Sequence, residues 1–335
     1  LLNSPNSRAA GTASPPRPES YFYVIDRDHL RSATRSVTAR RAIVPRESGH
    51  FMVDYESTRE RLVIHSAHTS ASDFAEWIQP YDVHPTTGAA VRSELVNAIT
   101  PVNYDIGVVG RYEVDATTGK VLDSDVFFDD QTWGTGGLVA RNPRRSQATL
   151  GDVFHANSGF PTDLAVQRVS KGVNKHPYRL VPTDELPWEG VPSNLVRIDH
   201  DAGRVVDSYF YPGDRFGWTP TFVPRAGTAT GADDGYLVVV VYGDEVTAHS
   251  AGTELWIFAA DDLARGPVAK LGNPSLEVPL TLHSVWLDST RSSRPDRHVD
   301  VAGELTDRAA TWRFDPQVAG VLASDVLPAY EALLR

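Results

Sequence analysis

Short apolar runs separated by turn-forming residues dominate the chain. Tyr21–Ile25, Arg61–His65, Gly107–Val114, Leu195–Ile198, Val205–Tyr211, Tyr236–Val241 and Leu255–Phe258 are rich in Val, Ile, Tyr and Phe. Most are bounded by Gly, Pro, Asp or Asn, the punctuation of strands joined by tight turns. The longest run, Tyr236–Tyr242, has the length of a buried strand and falls well short of a membrane span. Helical spacing is clear only in the tail, about Ala323 to Leu334, where Val326, Leu327, Tyr330, Leu333 and Leu334 share one face. Residues 1–19 are rich in Ser, Pro, Ala and Arg, with no periodicity and no apolar segment of the secretory type. They read as a linker or a cleaved end.

One hairpin recurs. Tyr112–Ser124 (YEVDATTGKVLDS) and Val196–Ser208 (VRIDHDAGRVVDS) share a strand, an Asp, a turn ending in Gly, a basic residue and a second strand ending in Asp-Ser. Gly119 and Gly203 stand where such a turn needs a residue tolerant of positive φ. Tyr81–Ser93 is a looser copy. The two clear copies start 84 positions apart (112 to 196), about two blades of a β-propeller at the usual ~40–45 residues each. A β-sandwich could also reuse such hairpins.

Composition narrows the chemistry. Among 335 residues, 43 acidic side chains outnumber 32 basic ones, for a net charge of −11, which argues against a nucleic-acid-binding surface. The pairs Arg40-Arg41 and Arg144-Arg145 are too short to change that and read as solvated loop edges. The absence of cysteine excludes disulfides, thiolate zinc sites, iron–sulfur clusters and cysteine nucleophiles. Eleven histidines leave an imidazole-held metal open. The expected setting is cytoplasmic, with no transmembrane segment.

The most informative stretch runs from Trp218 to Trp286. It contains FVPR at Phe222–Arg225, DDGYL at Asp233–Leu237, PVA at Pro267–Ala269, and His283 after an apolar, Pro-containing stretch. Upstream, HFMVDYE at His50–Glu56 sets a histidine six residues before an acid. In that order these motifs resemble the closing part of the carotenoid cleavage oxygenases, from about Tyr21 to Leu287, with a poor match over Asp129–Glu189. The resemblance implies an all-β fold, a seven-bladed β-propeller of which this chain forms the later blades. Residues 20–290 would be propeller, and residues 291–335 an extension with a C-terminal helix. It implies Fe(II) held by four histidines, two of them His50 and His283, in an enzyme that splits a conjugated alkene with O2. The other two would come from an N-terminal half of the propeller, as a separate chain or cleaved fragment. The family orients its ligand imidazoles with glutamates. Here Thr219 stands at one such position, and QTWGTGG (Gln131–Gly137) offers no carboxylate near another. A non-catalytic propeller half, structural or ligand-binding, is the alternative.

Other histidines read differently. His65 and His68 form an HxxH that strand periodicity sends to opposite faces, for surface or packing roles. His84 lies in VHPTTG, a turn, and His155 and His176 read as loop residues. GTGG at Gly134–Gly137 is not followed by a helical pattern and suggests no phosphate site.

Overall fold

In a computed structural model of the chain, the described residues are 18–31, 36–54, 60–69, 77–101, 103–144, 150–213, 215–227, 231–246, 249–290, 303 and 316–329. They divide into two units, Leu1–Trp286 and Leu287–Arg335. The first unit is mostly β. A hairpin of β1 (Glu19–Ile25) and β2 (Ala39–Pro45), with the short α1 (Arg27–Arg31) between them, precedes three four-stranded sheets.

Each sheet is an antiparallel meander in which neighbours in sequence are neighbours in space. The first contains β3 (Ser48–Asp54), β4 (Arg61–His68), β5 (Val108–Asp115) and β6 (Val121–Phe127). The second contains β7 (Thr135–Ala140), β8 (Asp152–Asn157), β9 (Asn194–Asp199) and β10 (Arg204–Phe210), with helix α2 (Gln167–Val173) between β8 and β9. The third contains β11 (Phe216–Pro224), β12 (Gly235–Tyr242), β13 (Thr253–Ala259) and β14 (Ala269–Gly272). The first strands lie side by side, β7 packing against β3 on one side and β11 on the other.

Alternation explains the core. Along β12, Leu237, Val239 and Val241 are buried, and they join Phe154, Leu195, Tyr211, Phe222, Trp256 and Phe258 in one cluster between the second and third sheets. Val109, Val196 and Ile198 form a smaller cluster between the first and second. Phe22, Ala42 and Val44 seat the opening hairpin on Ile64, Tyr112 and Val114 of the first sheet. Edge strand β6 does not alternate: Leu122 to Val126 are all exposed, and among them Asp123 and Asp125 are charges that discourage further strand pairing.

Both clear copies of the repeated hairpin form as expected, β5–β6 and β9–β10, with φ of 76° at Gly119 and 61° at Gly203. They belong to adjoining sheets, so the spacing of 84 (112 to 196) is one sheet-to-sheet step and not two. The step is long because residues 158–193 between β8 and β9 hold turns and α2. The looser copy makes only a Val83–Ala90 bridge around a turn at Gly88.

The second unit contains helix α3 (Pro316–Val321), which continues into a π turn over Leu322–Val326. Part of the expected tail helix, including Tyr330, Leu333 and Leu334, lies outside the described residues, as does Glu56.

Candidate metal centre

His50 lies on β3, on the face turned towards the second sheet. Gly49 lets the strands approach there, since a Cβ at that position would sit 3.0 Å from the Gly136 carbonyl oxygen. That carbonyl, on β7, accepts a hydrogen bond from His50 Nδ1 at 2.7 Å. The bond fixes the tautomer: the proton is on Nδ1 and the lone pair on Nε2, the form a metal ligand requires. The family resemblance leads one to expect a glutamate near Asp130–Gly137 for orienting a ligand imidazole. In the structure the partner of His50 Nδ1 is a main-chain carbonyl and not a carboxylate.

The Nε2 lone pair of His50 faces His283, 233 positions away in sequence, with the two Nε2 atoms 3.3 Å apart. The rings meet edge to face, with centroids 5.0 Å apart. Two imidazole nitrogens that each bind one metal at ~2.0–2.2 Å sit roughly 3 Å apart, so the donor set fits a shared ion. His50 is half-buried and His283 exposed.

Thr219 occupies a bulge in β11, where the register with β12 shifts between Trp218 and Thr221. Its φ of 54° is unusual for a β-branched residue, and the side chain is buried. The sequence reading put this hydroxyl beside an imidazole. It donates instead to the main-chain carbonyl of Thr281, two residues before His283. Thr221 Oγ1 and Ser284 Oγ make a second hydroxyl contact on the other side of His283. Thr219 thus positions the segment carrying His283.

Six other histidines have defined settings. His84 is the turn residue expected, its Nδ1 accepting from the main-chain N–H of Thr86 at 3.3 Å. His68 is fully buried: Nδ1 donates to the Glu47 carbonyl at 3.1 Å, and Nε2 accepts from the Tyr112 hydroxyl at 2.7 Å. Burial lowers its pKa to about 4. His65, on the opposite face, is also buried and lies 3.1 Å from Asp54 Oδ2 through Nε2. His176 sits in a turn after α2 with Nε2 3.1 Å from Glu47.

His155 departs from expectation. It is a buried residue in the middle of β8 and not a loop residue, because β8 turns polar side chains into the space between sheets. Its Nε2 lies 2.8 Å from His200 Nε2, and His200 Nδ1 lies 3.2 Å from His65 Nδ1. Burial lowers the pKa of His155 to about 3 and that of His200 well below the usual histidine range, so both rings are neutral at pH 7. No local spacing could have announced this chain, whose His65 and His200 are 135 positions apart.

Comparison with known proteins places these features in context. The family model described as retinal pigment epithelial membrane protein (RPE65) matches residues 7–288. The chain is also similar to the cobalt-substituted ACO, an apocarotenoid oxygenase, of Synechocystis, at 16% identity and a TM-score of 0.44. That match covers 74% of this chain and 41% of the Synechocystis chain, so this chain spans about two fifths of that relative's length. With the family pattern matched over most of its length, the chain belongs to the carotenoid cleavage oxygenase family.

Proposed function

We propose that the chain contributes two of four iron-binding histidines, His50 and His283, to a non-haem iron(II) dioxygenase that cleaves a conjugated alkene of apocarotenoid or stilbene type. The observation that carries this reading is the meeting of two Nε2 atoms across 233 positions, with the His50 tautomer set by a main-chain carbonyl. Neutral imidazoles suit Fe(II) and leave positions free for other groups. Iron bound there would supply the oxygen activation by which one C=C and one O2 give two carbonyl products. The chain's own part is to hold the Nδ1 proton of His50 on Gly136, to anchor the His283 segment through Thr219, and to keep water out.

The remaining two histidines, on this proposal, belong to the first blades of a seven-bladed propeller, supplied by polypeptide outside this sequence. Leu280, Leu282, Val285 and Trp286 flank His283 and are all exposed, a strip of apolar surface that such a half would cover and that would line a path for an apolar substrate. Inside the described residues no helix is long and apolar enough to cross a membrane. A non-catalytic propeller half is the second reading, favoured by one observation: the Thr219 hydroxyl is spent on a main-chain carbonyl where relatives carry a glutamate.

The test is turnover by the assembled protein, reconstituted with Fe(II) in air and offered apocarotenoids and hydroxystilbenes. The expected result is two carbonyl products per alkene, formed only with oxygen. Full iron retention with no product from either class would favour the non-catalytic reading.

A further inference from the structure

A second group of ligand-type side chains lies between the first and second sheets and shares no residue with the His50–His283 pair. Asp54, at the end of β3, His65, on β4, and Asp201, in the β9–β10 turn, each offer a ligand atom, and these atoms all lie within 4.8 Å of one another. Asp54 and His65 are buried, whereas Asp201 is exposed and opens the group to solvent. Behind His65 runs the chain of imidazoles through His200 to His155.

Hydrogen counting shows what the group lacks. With one hydrogen on each ring, the three imidazoles carry three N–H donors. His65 Nε2–H serves Asp54 Oδ2, His200 Nδ1–H serves His65 Nδ1, and His155 Nε2–H serves His200 Nε2. All donors are then spent, yet Asp54 Oδ1 and His155 Nδ1 remain buried without a hydrogen-bond partner. A buried carboxylate oxygen without a donor is costly, and a cation satisfies it directly.

We propose that Asp54, His65 and Asp201 bind a divalent transition-metal ion of the zinc, manganese or iron class, independently of the His50–His283 pair. Two carboxylates balance the charge of such an ion, and the imidazole favours this class over magnesium or calcium. Binding through His65 Nε2 requires that ring to carry its hydrogen on Nδ1. In the imidazole chain this leaves His65 donating from Nδ1 to His200 and His200 from Nε2 to His155; the proton displaced from His65 Nε2 leaves past Asp54 to solvent, and one proton is taken up at the far end of the chain. His155 carries its proton on Nδ1. Each ring keeps one hydrogen, so the imidazoles themselves gain no charge, and the charge of the ion is met by the two carboxylates. Asp201 supplies the entry path that a buried site needs.

Cobalt(II) titration of the full chain at pH 7.5, read by calorimetry and by visible absorption, tests the site. In a His50→Ala/His283→Ala variant, one equivalent of cobalt should still bind. Adding Asp201→Asn to that variant should weaken binding at least ~10-fold, as expected for the loss of one ligand, while the melting temperature of the metal-free protein stays the same. In the parent background the same substitution should remove one bound equivalent. The proposal is overturned if the double variant binds no cobalt, or if Asp201→Asn leaves both isotherms unchanged.

Discussion

At the residue scale, His68 shows how a metal-like spacing can serve packing. Gly110 makes room for it: a Cβ there would lie 2.6 Å from His68 Nε2. The ring is satisfied at both nitrogens as a neutral group, by the Glu47 carbonyl and the Tyr112 hydroxyl. Its pKa, held down near 4 in the fold, returns to about 6.5 on unfolding. The unfolded chain therefore binds more protons in this interval. Stability is fully present above pH 6.5 and is lost as pH falls from there towards 4, with His155 extending the loss towards 3. Denaturant titrations between pH 7.5 and 4.5 should show that decline. Tyr112→Phe should cost about 1–3 kcal/mol at pH 7.5, because it leaves a buried ring nitrogen unpaired. A flat pH profile, or a neutral Tyr112→Phe, would contradict this account. The sequence could show that His65 and His68 face opposite ways, since strand periodicity is local. It could not show that both are buried, since that depends on sheets that pack from elsewhere.

At the scale of elements, β11 is the strand on which the His283 segment depends. Its bulge turns the Thr219 hydroxyl onto the Thr281 carbonyl, and the Thr221–Ser284 contact holds the far side. Thr219→Val keeps the shape and removes the donor. Iron affinity of the assembled protein should fall about tenfold with the far-UV circular dichroism unchanged, roughly the cost of one lost hydrogen bond. Thr219→Glu should weaken binding too, although a carboxylate there matches relatives, because it cannot donate to the carbonyl it would face. Equal or tighter iron binding by the glutamate variant would show that Thr219 does act on an imidazole. Strands with apolar runs, such as β12 and β13, were legible from composition and turn residues alone. Strands β7 and β8 were not. The first opens on Gly-rich TGGLVA, and the second buries His155 and Asn157 where a strand pattern would lead one to expect apolar side chains.

Over the whole molecule, the three sheets bring their first strands together, and the candidate centre draws on each: His50 from β3, the Gly136 carbonyl from β7, and Thr219 from β11. The motifs around His50 and His283 single out both residues in the sequence, and the structure brings their Nε2 atoms to 3.3 Å. The carbonyl partner was illegible, since any residue presents a main-chain oxygen and only tertiary packing selects Gly136. The central claim is that these two imidazoles bind one iron. Anomalous scattering at the iron edge, from crystals of the assembled protein grown with Fe(II), tests it most directly. The account predicts one peak within ~2.0–2.2 Å of both His50 Nε2 and His283 Nε2. An occupied iron peak bonded to only one of them, or to neither, would contradict it.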